Sequence, residues 1–210
     1  MAYLVREIFP TLQGEGAQAG LPMVFVRFAG CNLWSGHEAD RERDAARTGA
    51  DCPRYCDTDF VTGDKLTTEA LLARVASHPG PRWICFTGGE PALQIDRPLL
   101  EAVRTAGYRA AIETNGTRPL AAISDLIDWI CVSPKLHTLA VTAGHELKLI
   151  YRGQPEAELV AYQSLAFEHL SLQPEWGLRY PEHLAAALAF LRRQPRWRLS
   201  LQTHKILGLP

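Results

Sequence analysis

Short apolar runs alternate along the chain with segments of helical periodicity. The apolar runs cover residues 23–28, 83–86, 109–112, 129–132, 147–151, 169–172 and 197–201. Several are apolar at successive positions rather than at every second one, which marks strands buried on both faces and covered by helices. Helices fit between them. Residues 67–77 begin on Thr67 as N-cap with Glu69 in the first turn, and 98–106 begin on Pro98 and stop at Gly107. Residues 181–194 form an alanine- and leucine-rich stretch from Pro181 to just before Pro195. Repeated βα units of this kind predict an α/β fold with right-handed crossovers. With about seven strands the expectation is a partial (incomplete) TIM-like barrel of parallel strands with outer helices, its closure left open by the sequence.

Polar residues gather just after the apolar runs. Thr87-Gly88-Gly89-Glu90-Pro91, Glu113-Thr114-Asn115-Gly116, Ser133-Pro134-Lys135, Gln173-Pro174 and Gln202-Thr203-His204-Lys205 all stand in such places. A cysteine-bearing loop likewise follows the run ending at Phe28. In α/β sheets the C-terminal strand ends converge on one ligand site, so these clusters predict a single pocket. No repeat or linker divides the chain, and residues 1–210 are expected to form one domain. The charged stretch at about 36–51 reads as a solvated insertion with an exposed helical turn or two.

Composition narrows the partners. At 210 residues, 47% apolar and 21% charged, with a formal net charge of −1, the chain offers no electrostatic case for nucleic acid or a membrane surface. No apolar run nears the roughly 20 residues of a membrane span, and the first residues lack a signal-peptide layout. The expected compartment is the reducing cytoplasm, where the five cysteines are ligands or buried thiols rather than disulfides.

Cys85 and Cys131 lie inside apolar runs and read as buried thiols. Cys31, Cys52 and Cys56 lie in the loop. A structural zinc site would need a fourth ligand such as His37. Three thiolates on a four-iron cluster leave one iron open to bind a small molecule, an arrangement suited to a loop facing a pocket.

The motifs EIFPTLQGEGAQAG, VRFAGCNLW, CDTDF, TGGEP, ETNG, WICVSPK, the Gln173-Pro174 pair and RLSLQTHK occur in that order along nearly the whole chain. In them the sequence resembles the radical S-adenosylmethionine superfamily and, within it, the 7-carboxy-7-deazaguanine synthase family. It departs from the superfamily spacing: 20 residues separate Cys31 from Cys52, and Pro53-Arg54-Tyr55 separate Cys52 from Cys56. The resemblance implies a 4Fe-4S cluster on Cys31, Cys52 and Cys56, with S-adenosyl-L-methionine chelated by its open iron. Cofactor contacts would come from Tyr55, Cys56 and Asp57, from Gly88, Gly89 and Glu90, from Ser133, Pro134 and Lys135, and from Gln173, Pro174, Glu175 and Trp176.

Further implications concern the substrate, 6-carboxy-5,6,7,8-tetrahydropterin. Leu12, Gln13, Gly14, Arg27, Thr87, His204 and Pro210 would contact it, and Glu15 would accept from its amino edge. Read from its residue type alone, Arg27 either pairs with an internal acid or clamps a carboxylated ligand. Thr58 would be a Mg2+ ligand. The implied reaction is a lyase step, ring contraction with loss of ammonia, in queuosine and deazapurine biosynthesis. An electron donor such as flavodoxin or ferredoxin and a homodimer are also implied. The rival readings are an activator of a glycyl-radical partner and a zinc-stabilised binding module without chemistry.

Overall fold

The structure, a computed structural model, describes residues 2–210. Strands β1 (Ala2–Leu12) and β2 (Pro22–Phe28) form an antiparallel pair, followed by helix α1 (Arg41–Thr48), strand β3 (Asp64–Thr67) and helix α2 (Thr68–Ala76). Next come β4 (Trp83–Gly88), α3 (Arg97–Thr105), β5 (Arg109–Thr114), β6 (Trp129–Val132) and β7 (Ala143–Tyr151). The chain continues through α4 (Glu156–Ala161), β8 (Ala166–Pro174), α5 (Tyr180–Leu191), β9 (Trp197–Leu199) and α6 (Thr203–Leu207). Among the described residues nine strands make one sheet in the order β3-β1-β2-β4-β5-β6-β7-β8-β9. It is parallel from β2 to β9, as the doubly apolar runs predict, and antiparallel where β1 meets β2 and β3.

Two strands lie outside the sequence expectation. β1 carries Arg6, Glu7 and Pro10, and its register slips between Val5 and Glu7, so it shows no clean alternation. Proline is tolerated because β3 pairs only with Ala2–Val5, leaving the half with Pro10 an edge. β3 is too short and polar to register as a run. The expected Thr67 cap holds, its Oγ1 accepting from Ala70 N at 3.2 Å; α3 begins on Arg97, one residue before the expected Pro98, behind an Asp96 cap whose Oδ1 accepts from Leu99 N at 3.0 Å. The 36–51 segment differs from the expected solvated loop, since α1 buries Asp44 and Ala45, and Asp44 accepts from Ser35 N at 2.8 Å. α4 and α6 were also not expected, and α6 stands where only a polar cluster was read.

The sheet stays open but curls. The turn joining β1 to β2 crosses to its far side, where Gly16 N donates to Ser200 Oγ at 2.8 Å and Thr203 N donates to Gly14 O at 2.9 Å. Ala17 N donates to the buried Glu146 carboxylate on β7 at 3.0 Å. This turn spans the gap that a closed barrel would fill with strand pairing. Parallel register then sorts the side chains. Val24, Val26, Ile84, Phe86 and Ile112 share the face packed against Leu71 and Val75 of α2 and Leu99, Leu100 and Val103 of α3. The alternate positions, Phe25, Arg27, Thr87, Glu113, Lys148 and Gln173, share the inner face. Among the described residues no helix is long and apolar enough to cross a membrane.

Candidate active site

The inner face and the strand-end loops enclose a cavity of about 520 Å³. Of the residues expected there, Leu12, Gln13, Gly14, Glu15, Arg27, Thr87, His204 and Pro210 line it. So do Cys52, Tyr55, Cys56, Asp57, Thr58, Gly88, Gly89, Ser133, Lys135, Gln173, Glu175 and Trp176. Glu90, Pro134 and Pro174 are not among its lining residues. Glu90 is fully buried behind the wall, accepting from Thr114 Oγ1 at 2.6 Å, Asn115 N at 2.7 Å and Ala92 N at 3.0 Å. It ties the end of β4 to the end of β5, and burial raises its pKa although these donors oppose the shift. Pro134 and Pro174 are buried and set the chain path after β6 and at the end of β8.

The floor carries a charged chain that sequence reasoning missed. Lys148 sits inside the apolar stretch of β7, where the surrounding Leu147, Leu149 and Ile150 hide it from a pattern reading. Its Nζ donates to Glu15 at 2.5 Å and to Glu113 at 3.0 Å, with 3% of the side chain exposed. Gln13 Nε2 donates to the other oxygen of Glu113 at 2.8 Å, and Gln202 Nε2 to Glu15 at 2.8 Å. Burial works against charge on Glu15, yet Lys148 outweighs it and holds the acid at about 2. Burial likewise opposes charge on Lys148, and the two carboxylates keep its pKa well above the ordinary lysine value. Glu15 is thus a paired internal acid rather than a solvated one. Its partner's position is set by strand pairing, not by sequence proximity.

Arg27 pairs with an acid, though a half-exposed one rather than an internal one. Its Nε donates to Glu7 Oε1 across the β1–β2 pair at 2.6 Å, and the side chain lines the cavity 22% exposed. This bond uses one of the five guanidinium donors. His204 packs directly on Gly14, where a Cβ would collide with its ring, and burial lowers its pKa. Lys205 and Asp57 pair at 2.7 Å across the cavity mouth. Thr58 is flanked by Asp57 and by Asp59, whose carboxylate pairs with Arg6.

A smaller hollow of about 50 Å³ adjoins the cavity and is lined by Cys31, Cys52 and Cys56 with Leu33, Trp34, Phe60 and Gly89. Cys52, Cys56, Gly89, Asn115 and Lys135 border both spaces, so the thiols open toward the larger one. The irregular spacing has a local explanation. Residues Cys52–Arg54 form one helical turn, and Cys56 N donates to Cys52 O at 2.9 Å. Three intervening residues let the chain close this turn and bring both cysteines to the same hollow. Burial pushes up the Cys31 thiol, and pushes the Cys52 thiol to about 12. A Cβ on Gly89 would collide with the Gly30 carbonyl and crowd Cys31, so only glycine allows this approach.

All five cysteines are free, and burial raises Cys85 and Cys131 well above the usual thiol range. His37 is exposed and lies outside the hollow, which removes the fourth ligand considered for zinc. Among the described residues no three His, Cys, Asp or Glu side chains gather around one ion-sized point. The three thiols instead border a shared hollow, a donor set that fits a cluster in which each thiolate takes its own metal. Tyr55 lines the larger cavity, with the Arg152 guanidinium 3.9 Å from its ring centre. One face of the ring is therefore covered by protein.

No family model matches the chain. A curated protein of Bordetella pertussis named 7-carboxy-7-deazaguanine synthase is 50% identical over 221 aligned positions, with all of both chains covered. One of Burkholderia multivorans bearing the same name is 48% identical, again with full coverage of both. The crystal structure of QueE from Escherichia coli superposes with a TM-score of 0.67 over 96% of this chain and 94% of that one. Its sequence identity is 24%, so that likeness speaks for the fold alone. Identity of this order from end to end decides the relationship: the chain belongs to the 7-carboxy-7-deazaguanine synthase family.

Proposed function

We propose that the whole chain acts as one domain, a radical S-adenosylmethionine lyase of the cytosol. It converts 6-carboxy-5,6,7,8-tetrahydropterin to 7-carboxy-7-deazaguanine with loss of ammonia, in queuosine and deazapurine biosynthesis. The observation that carries this reading is the full-length 50% identity to a curated synthase. The joined hollow and cavity supply a physical basis for it. Cys31, Cys52 and Cys56 hold a 4Fe-4S cluster, three donors for four irons, so one iron has no protein ligand. The bound cluster and S-adenosyl-L-methionine would supply radical chemistry, and the residues around them would hold and orient the reactants.

The protein binds, orients and excludes water. Gly88 and Gly89 let the backbone approach the cofactor closely, while Ser133, Lys135, Gln173 and Glu175 offer polar contacts around it. Tyr55, Asp57 and Trp176 close the same side. On the pterin side, the remaining donors of Arg27 take the carboxylate bidentately, and Thr87, His204, Pro210 and Leu12–Gly14 shape the slot. Glu15, held ionised by Lys148, and Glu113, paired with the same lysine, accept from the pterin's N–H edge. Glu90 acts behind these groups by fixing the ends of β4 and β5.

Thr58 would offer one hydroxyl oxygen to a Mg2+ ion, which would stabilise charge on the substrate carboxylate. The sequence resemblance adds a homodimer and a one-electron donor such as flavodoxin or ferredoxin. Anaerobic purification tests the core of the proposal. Wild-type protein is expected brown, with iron and sulfide, and Cys52→Ala should lose both. Colourless wild-type protein with one zinc would overturn it.

A further inference from the structure

The 36–51 insertion touches the cysteine turn through one side chain. Arg41, the first residue of α1, donates from Nη1 to Pro53 O and from Nη2 to Cys56 O at 3.1 Å. Its guanidinium lies over the indole of Trp34, Cζ 4.4 Å from the ring centre, and its Nε pairs with Glu38 at 2.8 Å. Trp34 lines the thiol hollow, is 5% exposed, and is wedged edge-on against Phe60 with ring centres 5.4 Å apart. The guanidinium thus rests over the indole while two of its N–H groups reach carbonyls on either side of Tyr55.

Those carbonyls need a partner. The turn is too short to satisfy its own acceptors, as at any helix end. Arginine offers each carbonyl a donor from a different nitrogen of a rigid fork, whereas the three donors of lysine all leave one nitrogen on a flexible stem. The next residue of the same helix, Glu42, grips Arg54 at 2.9 Å, and Arg54 also reaches Asp51 at 2.5 Å. These outer contacts are largely exposed and contribute little. Arg41 is 22% exposed, and its bonds are charge-assisted.

We propose that Arg41 is a positioning residue for the metal cluster: the insertion carries its own brace, and Arg41 holds the Cys52–Cys56 turn so that both thiols face the hollow shared with Cys31. The inference rests on the reading that these thiols bind a cluster, and it gives the insertion a role that a solvated loop would not have.

The test uses the full-length chain, purified without oxygen, as wild type, Arg41→Ala, Arg41→Lys and Arg54→Ala. Chelator-driven bleaching should run roughly tenfold faster in Arg41→Ala, the size expected for losing a charge-assisted pair of bonds. Arg41→Lys should recover only part of this, and Arg54→Ala should match wild type. In the same proteins after iron removal, Cys52 and Cys56 should be alkylated severalfold faster in Arg41→Ala while Cys31 keeps its wild-type rate. Bleaching and alkylation at wild-type rates would overturn the proposal. So would equal acceleration at all three cysteines with a lowered melting temperature, the mark of general loosening. A wild type without iron would sink the functional reading instead, and the alkylation pattern would still decide the brace.

Discussion

Replacing Lys148 with methionine removes the cation between Glu15 and Glu113 while keeping most of the side-chain volume. At pH 7 the substitution leaves two carboxylates without their shared partner in a site where Lys148 is 3% exposed. Removing one member of a buried ion pair typically costs about 3–5 kcal/mol. The pH dependence carries the sharper test. In the wild type Glu15 is held at about 2, below its ordinary value of 4.5. A depressed acid contributes stability that is present above pH 4.5 and lost as pH falls toward 2, on the order of 3 kcal/mol. Without Lys148, burial is the dominant influence and raises the acid's pKa instead. The folded variant then binds protons more readily than the unfolded chain, so its deficit shrinks as pH falls. Urea unfolding of both proteins at pH 7 and pH 5 reads this directly. The difference in unfolding free energy should be several kcal/mol at pH 7 and clearly smaller at pH 5. An equal difference at both values would refute the charged chain.

Three further outcomes follow from the same geometry. Glu90→Gln replaces one acceptor oxygen with a donor facing a group that already donates, and should lower unfolding free energy by about 1–3 kcal/mol in a urea titration. Gly89→Ala forces a Cβ against the Gly30 carbonyl, and calorimetry of the iron-loaded protein should find S-adenosylmethionine binding weakened at least ~10-fold, since the cost of such a clash exceeds about 1.4 kcal/mol. Arg27→Lys keeps the charge and can still pair with Glu7 but loses the fork, so steady-state kinetics should show KM for the pterin rising roughly 10-fold or more, with the urea midpoint near wild type.

The parallel sheet was legible because several of its strands carry apolar residues at successive positions, and the site's location followed from the polar residues after each run. β1 was not, because its pairing survives Arg6, Glu7 and Pro10 through an irregular register and a free edge. The ligand-facing residues were readable mainly where glycine or cysteine marked them. Lys148 carried no such mark: a lysine flanked by leucines and isoleucine looks like a strand interruption until neighbouring strands bring Glu113 and the Gln13–Glu15 turn beside it. Glu90 is the converse case, since a carboxylate next to two glycines reads as a ligand while here its oxygens accept from Thr114, Asn115 and Ala92, partners that sequence does not display. The insertion read as solvated because its charges pair among themselves and with backbone carbonyls, which composition does not register.

Product formation tests the central claim most directly. Iron-loaded full-length protein, incubated without oxygen with 6-carboxy-5,6,7,8-tetrahydropterin, S-adenosylmethionine and a strong one-electron reductant, should release ammonia and 7-carboxy-7-deazaguanine in equal amounts. A fully loaded cluster that cleaves S-adenosylmethionine yet yields no deazaguanine from this pterin would contradict the assignment of the cavity.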